Sequence, residues 1–309
     1  MAKSSWIVYA LLAVSTAAAQ TPPAGRRVAI TIDDGPAVGS GRELADFQRI
    51  TSGLIEQFST VKVPVTMFVN ERQLNVQGQR DARAEVLVKW MDAGFDLANH
   101  SYSHPSANRT AARDFQDDII RGEVIMRPLV EARGKKFEWF RYPFLHSGET
   151  QEIHQGIMNF LEERHYKVAH VTVDYADYSF AGAFSRELKA GRKETAEKIK
   201  QAYLEQTDLG FEYAEKASAE VYGREIPQIL LIHCNELNSV AIGEAISRMR
   251  KRGYSFISID EAVKDEAYQR ADSFAGNGGS WLGRTARLKD YKIQAVQPKF
   301  PQWITDLPR

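Results

Sequence analysis

The 309-residue chain has one cysteine, Cys234, so no disulfide can form within it and packing must hold it together. It also has no charge excess: 40 basic and 40 acidic residues cancel, which removes the electrostatic case for a nucleic-acid partner or an anionic membrane. Long apolar runs are missing, since residues 6–14 are too short to span a bilayer comfortably. No internal repeat or low-complexity tract is present. What remains, 43% hydrophobic and 26% charged residues, describes a globular protein with ample core, enough for one α/β barrel or two smaller domains.

The first residues read as a secretory signal. Lys3 supplies a positive charge, residues 6–14 are largely apolar, and Ser15-Thr16-Ala17-Ala18-Ala19-Gln20 offers small residues for cleavage. Residues 1–19 are therefore expected to be a signal peptide, with a secreted or periplasmic mature chain beginning near Gln20. There is no N-terminal cysteine of the kind a lipoprotein needs, and an exported chain without disulfides suits a bacterial periplasm or exterior.

Short apolar or β-branched segments recur at residues 28–32, 65–69, 95–99, 137–141, 168–173, 229–233 and 255–259. Amphipathic stretches separate them. In the first, Leu44, Phe47, Ile50, Leu54 and Phe58 recur at helical spacing and belong to the core. This alternation implies a parallel sheet with right-handed crossovers, either a closed barrel or an open doubly wound sheet. Two regions fall outside it. Residues 180–226 read as a long charged helical insertion, expected either to wall the carboxyl face of the sheet or to pack outside it. Residues 263–309 read as an irregular extension packed by Trp281, Tyr291, Phe300 and Trp303.

Polar residues gather at the strand ends. Asp33 and Asp34 follow the first strand, His100 the third and Asp174 the fifth, while Arg141 ends the fourth and His233 the sixth. Carboxyl ends of parallel strands converge on one face, which is where active sites sit. Two adjacent carboxylates repel unless a cation or a proton separates their roles, so one can bind a metal while the other handles a proton. His100 and His104 stand i, i+4, which on a helical turn puts both imidazoles on one face for a divalent ion. One carboxylate and two imidazoles leave positions open for water, as in zinc hydrolases and non-haem iron oxygenases. An oxygenase gives no use for the second aspartate, and a glycoside hydrolase with paired carboxylates needs no histidine pair.

Five ordered segments then resemble the polysaccharide deacetylases of carbohydrate esterase family four, the NodB-homology group. They are Thr31-Ile32-Asp33-Asp34-Gly35-Pro36, His100-Ser101-Tyr102-Ser103-His104, Arg141-Tyr142-Pro143-Phe144, Asp174-Tyr175-Ala176-Asp177-Tyr178 and Leu230-Leu231-Ile232-His233. The resemblance implies a distorted (β/α)7 barrel, a single catalytic domain over residues 26–262 with the helical insertion 180–226 and the extension 263–309 packed on it. It implies a divalent metal, usually zinc, held by Asp34, His100 and His104. Asp33 would be the general base and His233 the general acid, Arg141 would keep Asp33 ionised, and Asp174 would orient and tune His233. Substrate contacts would come from Tyr142, Pro143, Phe144 and Tyr178, with the Phe144 N–H as oxyanion donor. Tyr178 stands where the family usually has tryptophan, and Asn235 follows the acid where many relatives have a carboxylate nearby. The implied reaction removes N-acetyl groups from an acetylated glycan of N-acetylglucosamine type. The alternatives are O-acetyl ester hydrolysis on a polysaccharide such as xylan, or a metal-retaining carbohydrate-binding protein with little turnover.

Overall fold

The computed structural model describes residues 25–39 and 42–308, so the expected signal peptide, residues 1–19, lies outside the described residues. Seven parallel strands make one curled sheet: β1 (Arg27–Gly35), β2 (Val65–Val69), β3 (Asp96–Asn99), β4 (Trp139–Phe140), β5 (Lys167–Val168), β6 (Gln228–His233) and β7 (Ser255–Ile257). The helices are α1 (Leu44–Val61), α2 (Arg80–Asp92), α3 (Ala112–Arg121), α4 (Met126–Glu131), α5 (Gln151–Glu163), α6 (Asp177–Lys189) and α7 (Lys193–Tyr222). They continue with α8 (Glu236–Lys251), α9 (Ile259–Ala262), α10 (Trp281–Leu288) and α11 (Gln302–Thr305).

The strand order is β5-β4-β3-β2-β1-β6, with β7 on β1. Just past β5, Val173 pairs with Leu230 of β6, and the Thr172 and Val173 N–H groups donate to the Ile229 carbonyl at 3.0 and 3.1 Å. That bridge brings the two ends of the curl together, giving the distorted (β/α)7 barrel. β1 is its central strand. β6 follows one edge of β1 over residues 28–33, while β7 and then β2 share the other edge. Its Val28, Ala29, Ile30 and Ile32 are buried, as expected of a strand covered on both faces.

One irregularity in β1 matters most for the site. Its register against β2 slips between Ile32 and Gly35, and Asp34 sits at φ 60°. A regular strand sends neighbouring side chains to opposite faces; the bulge lets Asp33 and Asp34 reach the same histidine at the carboxyl end. α1 buries Phe47, Ile50, Leu54 and Phe58, each contributing about 1.5–3 kcal/mol by area removed from water.

Several segments differ from expectation. The chain leaves the ladder after Val168 and rejoins it only at Val173, so the fifth strand is two residues plus a bridge. β7 stops at Ile257 because the Ser258 hydroxyl caps α9, accepting from the Glu261 N–H at 3.2 Å. Residues 180–226 resolve into most of α6 and all of α7, and α7 lies against α6, α8 and α10. The C-terminal extension is more ordered than an irregular tail. α10 brings Trp281 into the core, where its ring stacks on His170 with centroids 3.9 Å apart. Phe300 packs on Phe180 at 4.6 Å, whereas Tyr291 and Trp303 remain 40% and 42% exposed. Among the described residues no helix is long and apolar enough to cross a membrane.

Candidate active site

Asp34 Oδ1 lies 3.6 Å from His100 Nε2 and 3.3 Å from His104 Nε2, with all three ligand atoms within 4.8 Å of one another. The two imidazoles converge by a route other than the expected helical turn. Residues 100–104 are irregular, and Ser101 and His104 adopt left-handed backbone at φ 67° and 62°. Asp118 Oδ1 pins the loop by accepting from the Tyr102 and Ser103 N–H groups at 2.9 and 2.8 Å. Left-handed residues without a glycine are strained, and Asp34, Phe144 and Ala176 share the condition around this site.

The donor set fits a divalent cation. His100 Nδ1 is 2.9 Å from the Arg141 carbonyl, which can only accept, so Nδ1 carries the proton and Nε2 offers its lone pair. Burial lowers the His100 pKa to about 3, leaving the imidazole neutral, the form that ligates metals. Asp34 Oδ1 is buried and has no hydrogen-bond donor, an orphaned acceptor of the kind a cation satisfies.

Asp33 sits beside this set, 2% exposed, with Oδ2 3.6 Å from His100 Nε2. Its Oδ1 accepts from Arg141 Nη1 at 2.7 Å. Arg141 is fully buried and is held by Thr31 Oγ1 at 2.7 Å, by the Ala169 carbonyl at 3.2 Å and by the Phe68 ring at 4.3 Å. Burial lifts the Asp33 carboxyl above its ordinary value despite the opposing pull of Arg141. A carboxylate so placed is a stronger proton acceptor than one in water.

Across the β1–β6 pair, Asp33 stands in register with His233. His233 Nδ1 meets Asp177 Oδ1 at 2.7 Å, and the His233 N–H donates to Asp177 Oδ2 at 2.9 Å. Burial works against charge on His233, but Asp177 overrides it and lifts the pKa to about 10. This corrects the expectation for Asp174. Its Oδ1 accepts from the Ala176 N–H at 3.0 Å, and the left-handed turn at Ala176 then starts α6 with Asp177 aimed at His233. Asp177 is also buttressed: Asn235 and Asn238 donate to Oδ2 at 2.9 and 2.7 Å, and Tyr203 of α7 donates to Asn238 Oδ1 at 2.7 Å. The signal for Asp177 was present in the fourth motif, three residues beyond Asp174.

The rim needs a second correction. Tyr142 and Pro143, expected at the substrate, are buried; Tyr142 stacks on Phe115 with centroids 6.0 Å apart. The backbone turns left-handed at Phe144, φ 58°, which brings only that side chain outward, 58% exposed and edge-on to His104 at 4.4 Å. The Phe144 N–H has no hydrogen-bond acceptor among the described residues. Tyr178, 57% exposed, stands edge-on to His233 at 5.5 Å.

The C-terminal extension supports the same loop, a role the sequence reading missed. Arg284 pairs with buried Asp272 at 2.7 Å and donates to the Leu145 carbonyl. Ser147 Oγ donates to the Phe274 carbonyl at 2.8 Å, and the Gly276 N–H donates to the Gly148 carbonyl at 2.6 Å. Gly278 passes so near Leu145 that a Cβ there would lie 1.8 Å from the carbonyl oxygen.

Residues 20–157 match the family model described as polysaccharide deacetylase. No curated protein matches the chain. Among solved structures, a mutant of BA3943, described as a CE4 family pseudoenzyme with restored enzymatic activity, aligns with a TM-score of 0.51 and 19% identity over 79% of this chain and 70% of that one. Wild-type BA3943 from Bacillus anthracis, described as a CE4 family pseudoenzyme, gives 0.51 and 17% over 79% and 67%. The peptidoglycan deacetylase PdaC from Bacillus subtilis gives 0.49 and 19% over 79% and 94%. The BA3943 likeness is one of fold. Together with the family match, which takes in the first three of the five motifs, it agrees with the resemblance those motifs carry to the polysaccharide deacetylases of carbohydrate esterase family four.

Proposed function

We propose that the protein removes N-acetyl groups from a glycan of N-acetylglucosamine type by metal-assisted hydrolysis. Asp34, His100 and His104 would hold the cation, with zinc the proposed metal because two imidazoles and one carboxylate suit it. When bound, that cation supplies Lewis acidity to the acetyl carbonyl and the attacking water. Asp33 takes the proton of the water as its oxygen adds to the carbonyl carbon. Arg141 holds the Asp33 carboxylate in place. The Phe144 N–H stabilises the developing oxyanion, a donor worth about 3–4 kcal/mol in comparable sites. His233 gives its proton to the departing nitrogen as the C–N bond breaks, leaving acetate and an amine.

The observation that carries amide over ester is the His233–Asp177 pair, 2.7 Å apart, which favours an imidazolium. An amine leaves poorly without a proton, whereas an activated alcohol does not need one. The test compares His233→Ala with wild type on N-acetylglucosamine oligomers and on an aryl acetate. A much larger loss on the oligomer supports the reading; equal losses, or acetate release from acetylated xylan alone, would move it to ester hydrolysis. The binding-protein alternative fits poorly, because both proton carriers are present and stand in register across the β1–β6 pair.

We further propose that residues 26–262 form one catalytic domain, with 180–226 inserted and 263–309 packed on it. The buttressing of Asp177 by Tyr203 and of Leu145 by Arg284 supports that partition. Residues 1–19 are proposed as a signal peptide for export to the periplasm or medium.

A further inference from the structure

Beside Asp34 and His104 opens a cleft of about 490 Å³, lined in part by Arg42, Arg72, Arg83 and Tyr102. Asp34, committed to the candidate cation, is the single carboxylate among its described lining residues. Several arginines elsewhere in the fold are neutralised: Arg127, Arg133, Arg224 and Arg252 all pair with carboxylates. Among the described residues, the three arginines of the cleft have no carboxylate partner. Arg83, 4% exposed, spends its donors on neutral acceptors, with Nε on Gln79 at 3.0 Å, Nη1 on the Gln73 carbonyl at 2.9 Å and Nη2 on the Arg42 carbonyl at 2.7 Å. Arg42 and Arg72 stand exposed at the mouth. Gln73 ties this wall to the catalytic strand, donating to the Asp34 and Gly35 carbonyls at 3.2 and 3.1 Å.

A chain of zero formal net charge thus concentrates three guanidiniums in one cleft. Uncompensated guanidiniums with low-dielectric walls attract anions, and a guanidinium fork matches a carboxylate with two parallel hydrogen bonds. We propose that this cleft takes a carboxylate-bearing sugar next to the acetylated one, so that the preferred substrate is an anionic acetylated glycan. The proposal rests on the deacetylase reading for its acetyl group, but its charge preference is measurable without turnover. Lactyl ether and uronic acid carboxylates share the chemistry required.

The test is calorimetric binding to the full chain at low ionic strength. The ligands are a muramic-acid-containing N-acetylglucosamine tetrasaccharide, a glucuronic-acid-bearing acetylated xylan fragment, and the carboxyl-reduced alcohol of each. At least one acid should bind about tenfold more tightly than its alcohol, and the acid that does so names the source. In an Arg42→Gln/Arg72→Gln double variant, and in wild type at high salt, that ratio should fall towards one. Equal binding of acid and alcohol, binding of neither acid, or a ratio that survives the double variant overturns the proposal. Acetate release from neutral N-acetylglucosamine oligomers is measured in parallel. Turnover without a charge preference sinks the anionic subsite alone; a charge preference without turnover sinks the deacetylase reading alone.

Discussion

Replacing Asp177 by asparagine is the most informative single change, because its size can be worked from the geometry. Asp177 Oδ1 is 2.7 Å from His233 Nδ1, and its other oxygen accepts from the His233 N–H, Asn235 and Asn238. Removing the charge deletes the strongest pull towards the imidazolium and leaves burial against the lesser pulls of Asp34 and Asp33, so His233 should drop from about 10 towards its ordinary 6.5. At pH 8 the imidazolium fraction then falls from about 99% towards about 3%, a loss of acid of up to about thirtyfold. A histidine with a raised folded pKa contributes stability that is full below about 6.5 and lost as pH rises through about 10, and the variant loses that contribution. The asparagine amide also faces three donors, which costs about 1–3 kcal/mol more. Two readouts check this: an NMR titration of the His233 ring in metal-free protein, and the pH profile of acetate release. The ring titration and the alkaline limb should both move well down, from about 10 towards 6.5, in Asp177→Asn and far less in Asp174→Asn. An unmoved titration in the first variant, or equal movement in both, refutes the assignment of Asp177 as the partner.

Purified protein should bind about one divalent cation per chain, and His100→Ala should lose most of it by elemental analysis while melting as a folded protein; full occupancy in the variant would remove His100 from the ligand set. Gly278→Ala should push the Leu145 carbonyl and displace Phe144, costing about 1–3 kcal/mol in a thermal melt and lowering kcat for acetate release. Wild-type melting and turnover in that variant would mean the extension does not position the loop.

The sequence displays this site unevenly, for physical reasons. The apolar run before Asp33 and the i, i+4 histidines are local signals, and both lead to the site. How the histidines converge was not readable, since left-handed backbone at Ser101 and His104 depends on Asp118 pinning the loop from α3. The choice between Asp174 and Asp177 turns on one left-handed residue, Ala176, that propensity alone does not foretell. Tyr142 was expected at the substrate because it shares the third motif with Phe144; the turn between them buries the first ring and exposes the second. The grip of Arg284 on Leu145 spans 139 residues, a separation at which no local pattern carries information.

The central claim is tested most directly by acetate release from N-acetylglucosamine oligomers, with wild type and Asp33→Asn both loaded with zinc. Wild type should release acetate in step with new free amines, and Asp33→Asn should retain the metal while losing about a hundredfold or more in kcat. No release by metal-loaded wild type, or equal rates from the two proteins, would contradict the account.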